Sequence, residues 1–341
     1  MSLSRPDRFP LLKLPWLCIE CVLQNSDLFD IIFFALTSKR TRQIVKYLRI
    51  PLNRIGISVR DTTDIWLCGF SKIWNFSKPN LELSSYQNSK RTPLMLRNNP
   101  IPLYISRTDD DITSYTDGNT IDALKLAIQF LNEMFKCSIE RVYIDADNFT
   151  ESGDIGVRST RNLYITNEKT RSLGYAHNQN MSLLLKNLEV TDICSFFGTN
   201  TELDFYCDPK LFKCKELQFL GTAAWVTLEI LLQFEVPRLT FIKCLFSVED
   251  ILSFVTQWFH SDNMKLEYLY LPYQRQKFSS ETFQTAELNP VPFCGRTRVP
   301  LSGPFRYIDF SKGLELVRRD GLQATIHAGE ERFVFYIWHN Q

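Results

Sequence analysis

The sequence has little of what would place the chain in a membrane, in the secretory pathway or on a nucleic acid. No segment approaches the roughly 18 consecutive apolar residues that span a bilayer, and the start, MSLSRPDRF, has no signal-peptide apolar region. The formal net charge is +1, from 39 basic and 38 acidic residues, so no charge excess favours nucleic acid or an acidic lipid surface. We expect neither partner, and a cytoplasmic or nuclear location.

Motifs for catalysis and metal binding are equally scarce. Four histidines are scattered, and neither a G-x-x-x-x-G-K-[ST] loop nor a G-x-S-x-G elbow occurs. Cys18-x-x-Cys21 has the spacing of half a zinc site, but no second pair follows. The run Asp109-Asp110-Asp111 is typical of a solvated loop, and the nine cysteines form no disulfide framework. We therefore expect reduced thiols, no cofactor, no metal and no enzymatic activity.

What the sequence does have is a strongly apolar region near its start, from Phe9 to Arg49. Leu14-Pro15 opens a first helical segment, on which Leu17, Cys18, Cys21 and Val22 fall on one stripe. The second segment, from Leu28 to Leu36, leaves almost no polar face. Helices this short do not cover such a surface, so we expect the C-terminal domain or another chain to cover it. The region is predicted to be a docking element.

From Asn119 onward, helical and strand patterns alternate. Ile121 to Phe135 has helical spacing after a capping residue, and Ser247 opens a second capped helix. Strand-like cores recur at intervals typical of leucine-rich repeats: VYI 142–144, LYI 163–165, LEV 188–190, LQF 217–219, LTF 239–241 and YLY 268–270. The pattern favours an irregular leucine-rich-repeat-like α/β domain, with a generic α/β domain as the alternative.

The end of the chain has a different pattern. Alternating runs from Phe305 to Phe310, Leu314 to Arg319, Leu322 to Ile326 and Arg332 to His339 are separated by turn sequences such as Asp320-Gly321. We predict an antiparallel β-meander that caps the open edge of the repeat-like sheet. The predicted fold is thus α+β or α/β, with divisions at 8–50, 51–118 (a connecting strand and loop-rich region) and 119–341.

One face of the predicted strands is a candidate recognition surface. Because Val142 and Ile144 point into the core, the alternating residues point to the other face, and stacking of the repeats would align them. The candidate target-binding residues are Tyr143, Asp145, Tyr164, Thr166, Gln218 and Thr240. The alternative is an ordinary surface or one that loops cover.

The N-terminal motifs resemble a known family. The ordered anchors Leu14-Pro15, Val22-Leu23, Asp27-Leu28, Leu36-Thr37-Ser38-Lys39 and Ile44-Val45 resemble an F-box, most closely that of the large nematode F-box family. The C-terminal sequences GLELVRRDG (313–321), ATI (324–326) and FYIW (335–338) resemble that family's type-2 F-box-associated domain. One departure is that Trp16 and Leu17 follow Pro15, where other F-boxes have an acidic pair.

The resemblance implies a substrate-receptor subunit of a Skp-cullin-F-box ubiquitin ligase. The F-box would bind a Skp-type linker protein and through it a cullin, while the C-terminal domain would bind a target protein. By position, the resemblance implies linker contacts at Leu14, Pro15, Leu23, Leu28, Leu36, Ser38 and Lys39. For each of these residues the alternative is packing inside the F-box itself. The alternative function is a protein-interaction scaffold outside any ligase.

Overall fold

The computed structural model describes the chain in two compact units. The described residues are 11–48, 50–78, 104–107, 110–116, 118–148, 154–167, 169, 171–272, 278–293, 298–299, 308–329 and 332–339. Unit 1 comprises Met1–Ser58 and Thr62–Glu140, and unit 2 comprises Val59–Asp61 and Arg141–Gln341. The three-part division at residues 8–50, 51–118 and 119–341 was made from the sequence alone and stays a prediction.

Unit 1 begins with three short helices, as the sequence predicts. A 3₁₀ turn, Leu11–Lys13, precedes α1 (Trp16–Gln24), α2 (Leu28–Thr37) and α3 (Lys39–Tyr47). The Asp27 side chain accepts a hydrogen bond from the Phe29 amide at 2.8 Å and so caps α2. Ser38 and Thr41 form a reciprocal capping box on α3, which satisfies donors that the helix leaves unpaired.

A mixed sheet and a longer helix complete unit 1. Its elements are β1 (Arg54–Val59), β2 (Thr63–Leu67), β3 (Lys72–Ser77), β4 (Tyr104–Arg107), β5 (Asp111–Tyr115) and α4 (Thr120–Phe135). The strand order is β1-β2-β3-β5-β4. The predicted cap of α4 is confirmed, since the Asn119 side chain accepts a hydrogen bond from the Ile121 amide at 2.9 Å.

Unit 2 consists of a parallel sheet with an antiparallel end, which confirms the predicted fold class. The parallel strands follow one another in chain order, and the sheet continues beyond Tyr268–Pro272 through the antiparallel strands Arg332–Trp338, Gln323–Ala328, Leu314–Val317 and Val291–Pro292. The six parallel strands are β6 (Ser138–Asp145), β7 (Ser159–Thr166), β9 (Glu189–Phe196), β11 (Glu216–Phe219), β12 (Arg238–Phe241) and β13 (Tyr268–Pro272).

The remaining elements of unit 2 are short strands, the C-terminal meander and three helices. The strands are β8 (Ser172–Leu173), β10 (Asn200–Thr201), β14 (Val291–Pro292), β15 (Arg298–Val299), β16 (Ile308–Asp309), β17 (Leu314–Val317), β18 (Gln323–Ala328) and β19 (Arg332–Trp338). The helices are α5 (Asn178–Asn187), α6 (Leu228–Leu231) and α7 (Val248–His260), with 3₁₀ turns at Ala146–Asn148, Tyr175–His177, Pro209–Leu211 and Ser280–Phe283. Residues 305–307 of the predicted first run of the meander lie outside the described residues.

The register of β9 corrects one predicted strand core. Leu163 of β7 pairs with Cys194, not with Leu188. Leu188 is instead the buried C-cap residue of α5, and the ladder has an irregularity between Thr160 and Asn162. The predicted core at 188–190 therefore lies only partly in a strand, because Leu188 caps the preceding helix while Glu189 and Val190 begin β9.

An aromatic part of the core of unit 2 lies on one face of the parallel sheet. Phe196, Phe219 and Phe241 occupy successive strands in register, and the first two rings stack with centroids 4.2 Å apart. On the same face, Trp258 of α7 packs edge-on against Phe335 at 4.8 Å. Among the described residues, no helix is both long enough and apolar enough to cross a membrane.

Candidate functional site

The apolar surface of α2 is covered from within unit 1, which differs from the expectation that another region or chain covers it. Phe29 and Ile32 are fully buried. The Lys72 ammonium on β3 forms an ion pair with Asp27 at 2.8 Å and lies 4.7 Å from the centre of the Phe29 ring. The sheet thus supplies cover that the short helices alone lack, and the fully buried side chains of α2 are not accessible to a partner.

The exposed apolar surface lies on α1 instead. The predicted stripe, which we call the α1 face, consists of Leu17, Cys18, Cys21 and Val22, and all four side chains are exposed. Leu17 is 75% exposed. On the same helix, the exposed Trp16 ring meets the exposed Tyr47 ring of α3 edge to face, with centroids 6.4 Å apart. Exposed apolar groups this close together are typical of a surface that binds another protein.

The opposite side of α1 anchors it to unit 1. Ile19 and Leu23 pack with Ile44 and Leu48 in a buried cluster, against which Leu14 lies partly buried. The residues on the two sides alternate at helical spacing, so α1 has one apolar stripe facing the core and a second facing solvent.

The seven predicted linker contacts separate into buried and accessible residues. Leu23 and Leu28 are only 3% and 2% exposed and pack inside the unit. Leu14 and Leu36 are half-buried, whereas Pro15, Ser38 and Lys39 are exposed. Ser38 also caps α3, so its side chain has a structural role besides any contact with a partner.

The predicted recognition surface on the sheet is also partly buried. Tyr143, Tyr164, Gln218 and Thr240 do lie in one row across the strands, and Ser195 occupies the β9 position between them. Asp145, Gln218 and Thr240 are buried, however, and Tyr143, Tyr164 and Thr166 are half-buried. The row predicted from strand alternation is present, but its centre offers little accessible area.

Local contacts hold the half-buried end of this row in place. The Tyr143 and Tyr164 rings stack with centroids 4.7 Å apart, and the Arg60 guanidinium lies 5.8 Å from the centre of the Tyr143 ring. The Thr166 hydroxyl donates to the Ile144 carbonyl at 3.3 Å. The buried Asp145 carboxylate accepts a hydrogen bond from the Asp147 amide at 2.9 Å, a local turn contact.

The buried thiols are poor candidates for chemistry. Burial raises the pKa of Cys207 and of Cys214 to about 12 and that of Cys194 well above its ordinary value, so these groups stay protonated near neutral pH. Within the described residues, no group of three or more histidine, cysteine or acidic side chains is placed to hold a metal ion. The accessible features of this chain are suited to contacts with proteins.

The sequence motifs indicate no partner contact at Trp16, Leu17, Val22 or Tyr47. These are nevertheless the large exposed apolar side chains among the described residues of the N-terminal region. The usable signal was the spacing of Leu17 and Val22, which places them away from Ile19 and Leu23 on α1. No such signal marks Tyr47, whose exposure depends on how α3 packs against its neighbours.

Two regions of this chain match models of known protein families. Residues 11–53 match the model of the F-box domain, and residues 209–271 match the model of an F-box-associated domain. The first match contains α1, α2 and α3, and the second runs from the Pro209–Leu211 turn to β13. No curated protein and no solved structure matches the chain.

Proposed function

We propose that this chain, an F-box protein with a C-terminal F-box-associated domain, is the substrate receptor of a Skp-cullin-F-box ubiquitin ligase. Its F-box would bind a Skp-type linker and thereby a cullin, and its second unit would bind a target protein. F-box domains generally bind linkers of this type. Domains of these two kinds are typical of adaptors that are not enzymes, so the contribution is to raise the local concentration of the target.

The observation that carries the linker half of the proposal is the α1 face. It is the exposed apolar surface of the region that matches the F-box model. Because Pro15 lies directly before α1 and is exposed as well, we assign the contact to Pro15, the α1 face and the exposed Ser38 and Lys39. Leu14 and Leu36 would add their exposed portions, and Leu23 and Leu28 would act by holding the helices in position.

The target half rests on unit 2, whose residues 209–271 match the F-box-associated model. The stacked Tyr143 and Tyr164 and the neighbouring Thr166 would present the accessible part of the predicted sheet face. Asp145, Gln218 and Thr240 are buried, so we assign them to the support of that surface. Alanine substitution of both tyrosines that left target capture unchanged would remove the sheet face from the proposal.

Binding of a purified Skp-type linker tests the function. We expect the intact chain to capture the linker and a Leu14→Ala/Pro15→Ala variant to capture it about tenfold more weakly, since central interface residues commonly contribute 1–2 kcal/mol or more. Because Leu14 also packs on the buried cluster, the variant's unfolding midpoint is measured alongside.

Two outcomes would contradict the proposal. If the intact, folded chain does not bind the linker, the chain is an interaction scaffold outside the ligase. If the folded Leu14→Ala/Pro15→Ala variant binds as tightly as the parent, these anchors are not part of the contact. Capture of cullin only in the presence of linker would support the assembly in the proposed order.

A further inference from the structure

We propose that loops beside the carboxyl ends of β7 and β9 bind a segment of the target that carries an arginine or lysine next to an apolar side chain. This inference rests on the proposed role as substrate receptor and names the chemistry of the target. The surface, which we call the loop patch, consists of Tyr175, Glu202, Leu203, Asp204 and Tyr206. It shares no residue with the predicted sheet face.

The apolar part of the loop patch consists of three large exposed side chains. Tyr175 and Leu203 are each 75% exposed, and Tyr206 is 50% exposed. The Tyr206 ring lies edge-on to the buried Trp225 at 6.0 Å, which restricts its movement. Tyrosine supplies a large contact area at a low entropic cost, and it is enriched among the residues that dominate binding energies.

Asn178 joins the two loops that form the patch. Its side-chain oxygen accepts a hydrogen bond from the Tyr206 amide at 2.8 Å, and its side-chain nitrogen donates to the Asp204 carbonyl at 3.2 Å. The Glu202 amide donates to the Leu173 carbonyl at 2.8 Å, next to the pairing of β8 with β10. The loops are therefore ordered before any partner binds, which lowers the entropic cost of binding.

Two carboxylates converge beside these apolar groups. A Cβ atom added to Gly174 would lie 2.8 Å from Glu202 Oε2 and 3.1 Å from Asp204 Oδ1, so both acidic side chains approach one point. The Glu202 carboxylate accepts a hydrogen bond from the Ser172 hydroxyl at 2.6 Å. Among the described residues, neither carboxylate forms an ion pair.

This combination favours a basic and apolar peptide. Two like charges held close together repel each other, and a cation placed between them removes that repulsion. An apolar neighbour of the cation would cover Leu203 and the tyrosine rings, and burial of such groups is worth about 25 cal/mol per Å². The guanidinium of arginine also stacks on tyrosine rings. A target segment with this chemistry would use both halves of the patch.

The probe for this surface is a short fluorescein-labelled peptide with arginine–leucine pairs separated by Gly-Ser. Its control is the same peptide with citrulline, which keeps the shape of arginine but carries no charge. By fluorescence anisotropy we expect the arginine peptide to bind about tenfold more tightly, as for the loss of one charge pair at an interface. Equal binding of both peptides, or no binding of either, would overturn the proposal.

Matched variants locate the binding. We expect Glu202→Gln/Asp204→Asn to weaken the arginine peptide about tenfold, whereas Glu229→Gln/Glu249→Gln, which removes the same charge from exposed positions on α6 and α7, leaves it unchanged. Equal effects of the two double variants would overturn the assignment to the loop patch. Linker capture is measured for every variant, so that a failure of the ligase role and a failure of this surface are distinguishable.

Discussion

At the scale of single residues, Leu17 and Leu203 are equally exposed but differ in their surroundings. Each is 75% exposed, and burying a leucine completely is worth roughly 1.5–3 kcal/mol. Cys18, Cys21 and Val22 surround Leu17 with apolar groups on α1, whereas Leu203 lies between two acidic residues in a loop. We therefore propose partners of different chemistry for the two leucines, an apolar surface on the linker for Leu17 and a basic segment of the target for Leu203.

Gly221 is required by a close approach of two backbone segments. A Cβ atom at this position would lie 2.1 Å from the Thr199 carbonyl oxygen and 2.6 Å from its carbon, and a backbone does not move as easily as a side-chain end. We expect Gly221→Ala to lower the free energy of unfolding by about 2 kcal/mol, measured by urea denaturation. Gly329→Ala, whose Cβ would meet only ordinary contacts beyond 3.4 Å, is the control, and an equal loss in both variants would contradict this account.

His327 predicts a loss of stability in mild acid. Burial is the main cause that lowers the pKa of His327, and the positive charges of Arg332 and Lys312 lower it further. The negative charge of Asp309 raises this pKa in part. The unfolded chain then binds a proton at a higher pH than the folded chain does. The contribution to stability is thus complete above the ordinary histidine pKa of about 6.5 and is lost as the pH falls below it.

The pH dependence of urea unfolding measures this effect. We expect the midpoint to fall between about pH 7 and pH 5, and to fall less in a His327→Gln variant, because that side chain does not titrate in this range. His260→Gln serves as the control, since His260 is exposed and lies beside Glu287 on the surface. The same slope in the parent and in His327→Gln would rule out His327 as the cause.

At the scale of elements, the exposed α1 face is the feature of the apolar N-terminal region that we propose a partner covers. Its inner stripe is fixed by the buried cluster around Ile19 and Leu23, while its outer stripe of Leu17, Cys18, Cys21 and Val22 is exposed. The sequence predicted both the helix and the outer stripe, but it indicated α2 as the surface in need of cover. That assignment depends on Lys72 of β3 and on the sheet, which are distant in the sequence.

The exposed thiols of α1 allow a direct test of the contact face. Cys18 and Cys21 are exposed, whereas Cys137, Cys194, Cys207, Cys214 and Cys244 are buried. We expect iodoacetamide to alkylate Cys18 and Cys21 first, and saturating linker to slow their alkylation at least about tenfold, because a covered thiol reacts only when the complex opens. Half-buried Cys68 is the internal control. Unchanged alkylation rates in the presence of bound linker would contradict the α1 face.

The strands show where local patterns suffice and where they do not. The cores at 142–144, 163–165, 217–219, 239–241 and 268–270 lie in strands as predicted, because their alternation of apolar residues is local. β9 contains Cys194 and Phe196 but begins with Glu189, Val190 and Thr191, so the predicted core at 188–190 covers only the first residues of the strand and the end of the preceding helix. The shift between Thr160 and Asn162 has no sequence signal of its own.

At the scale of the whole molecule, the order of the parts was predictable and the accessible surfaces were not. The helical start, the parallel strands and the C-terminal meander follow from periodicity and turn residues. The family matches at 11–53 and 209–271 agree with the family resemblance, although the second match does not include the motifs at 313–338 on which the C-terminal resemblance rests. Burial of Leu23, Leu28, Gln218 and Thr240 depends on contacts between distant segments. Contacts between distant segments cannot be predicted from the local patterns of a single sequence.

We propose that the α1 face binds a Skp-type linker while a different surface binds the target. Titration calorimetry of the purified linker against the parent chain, Leu17→Asp and Leu203→Asp tests this assignment. Both substitutions place a carboxylate at a leucine that is 75% exposed, so neither should disturb the fold. The account predicts that Leu17→Asp weakens linker binding at least about a hundredfold and that Leu203→Asp binds like the parent. Equal affinities for all three chains, or a loss confined to Leu203→Asp, would contradict it.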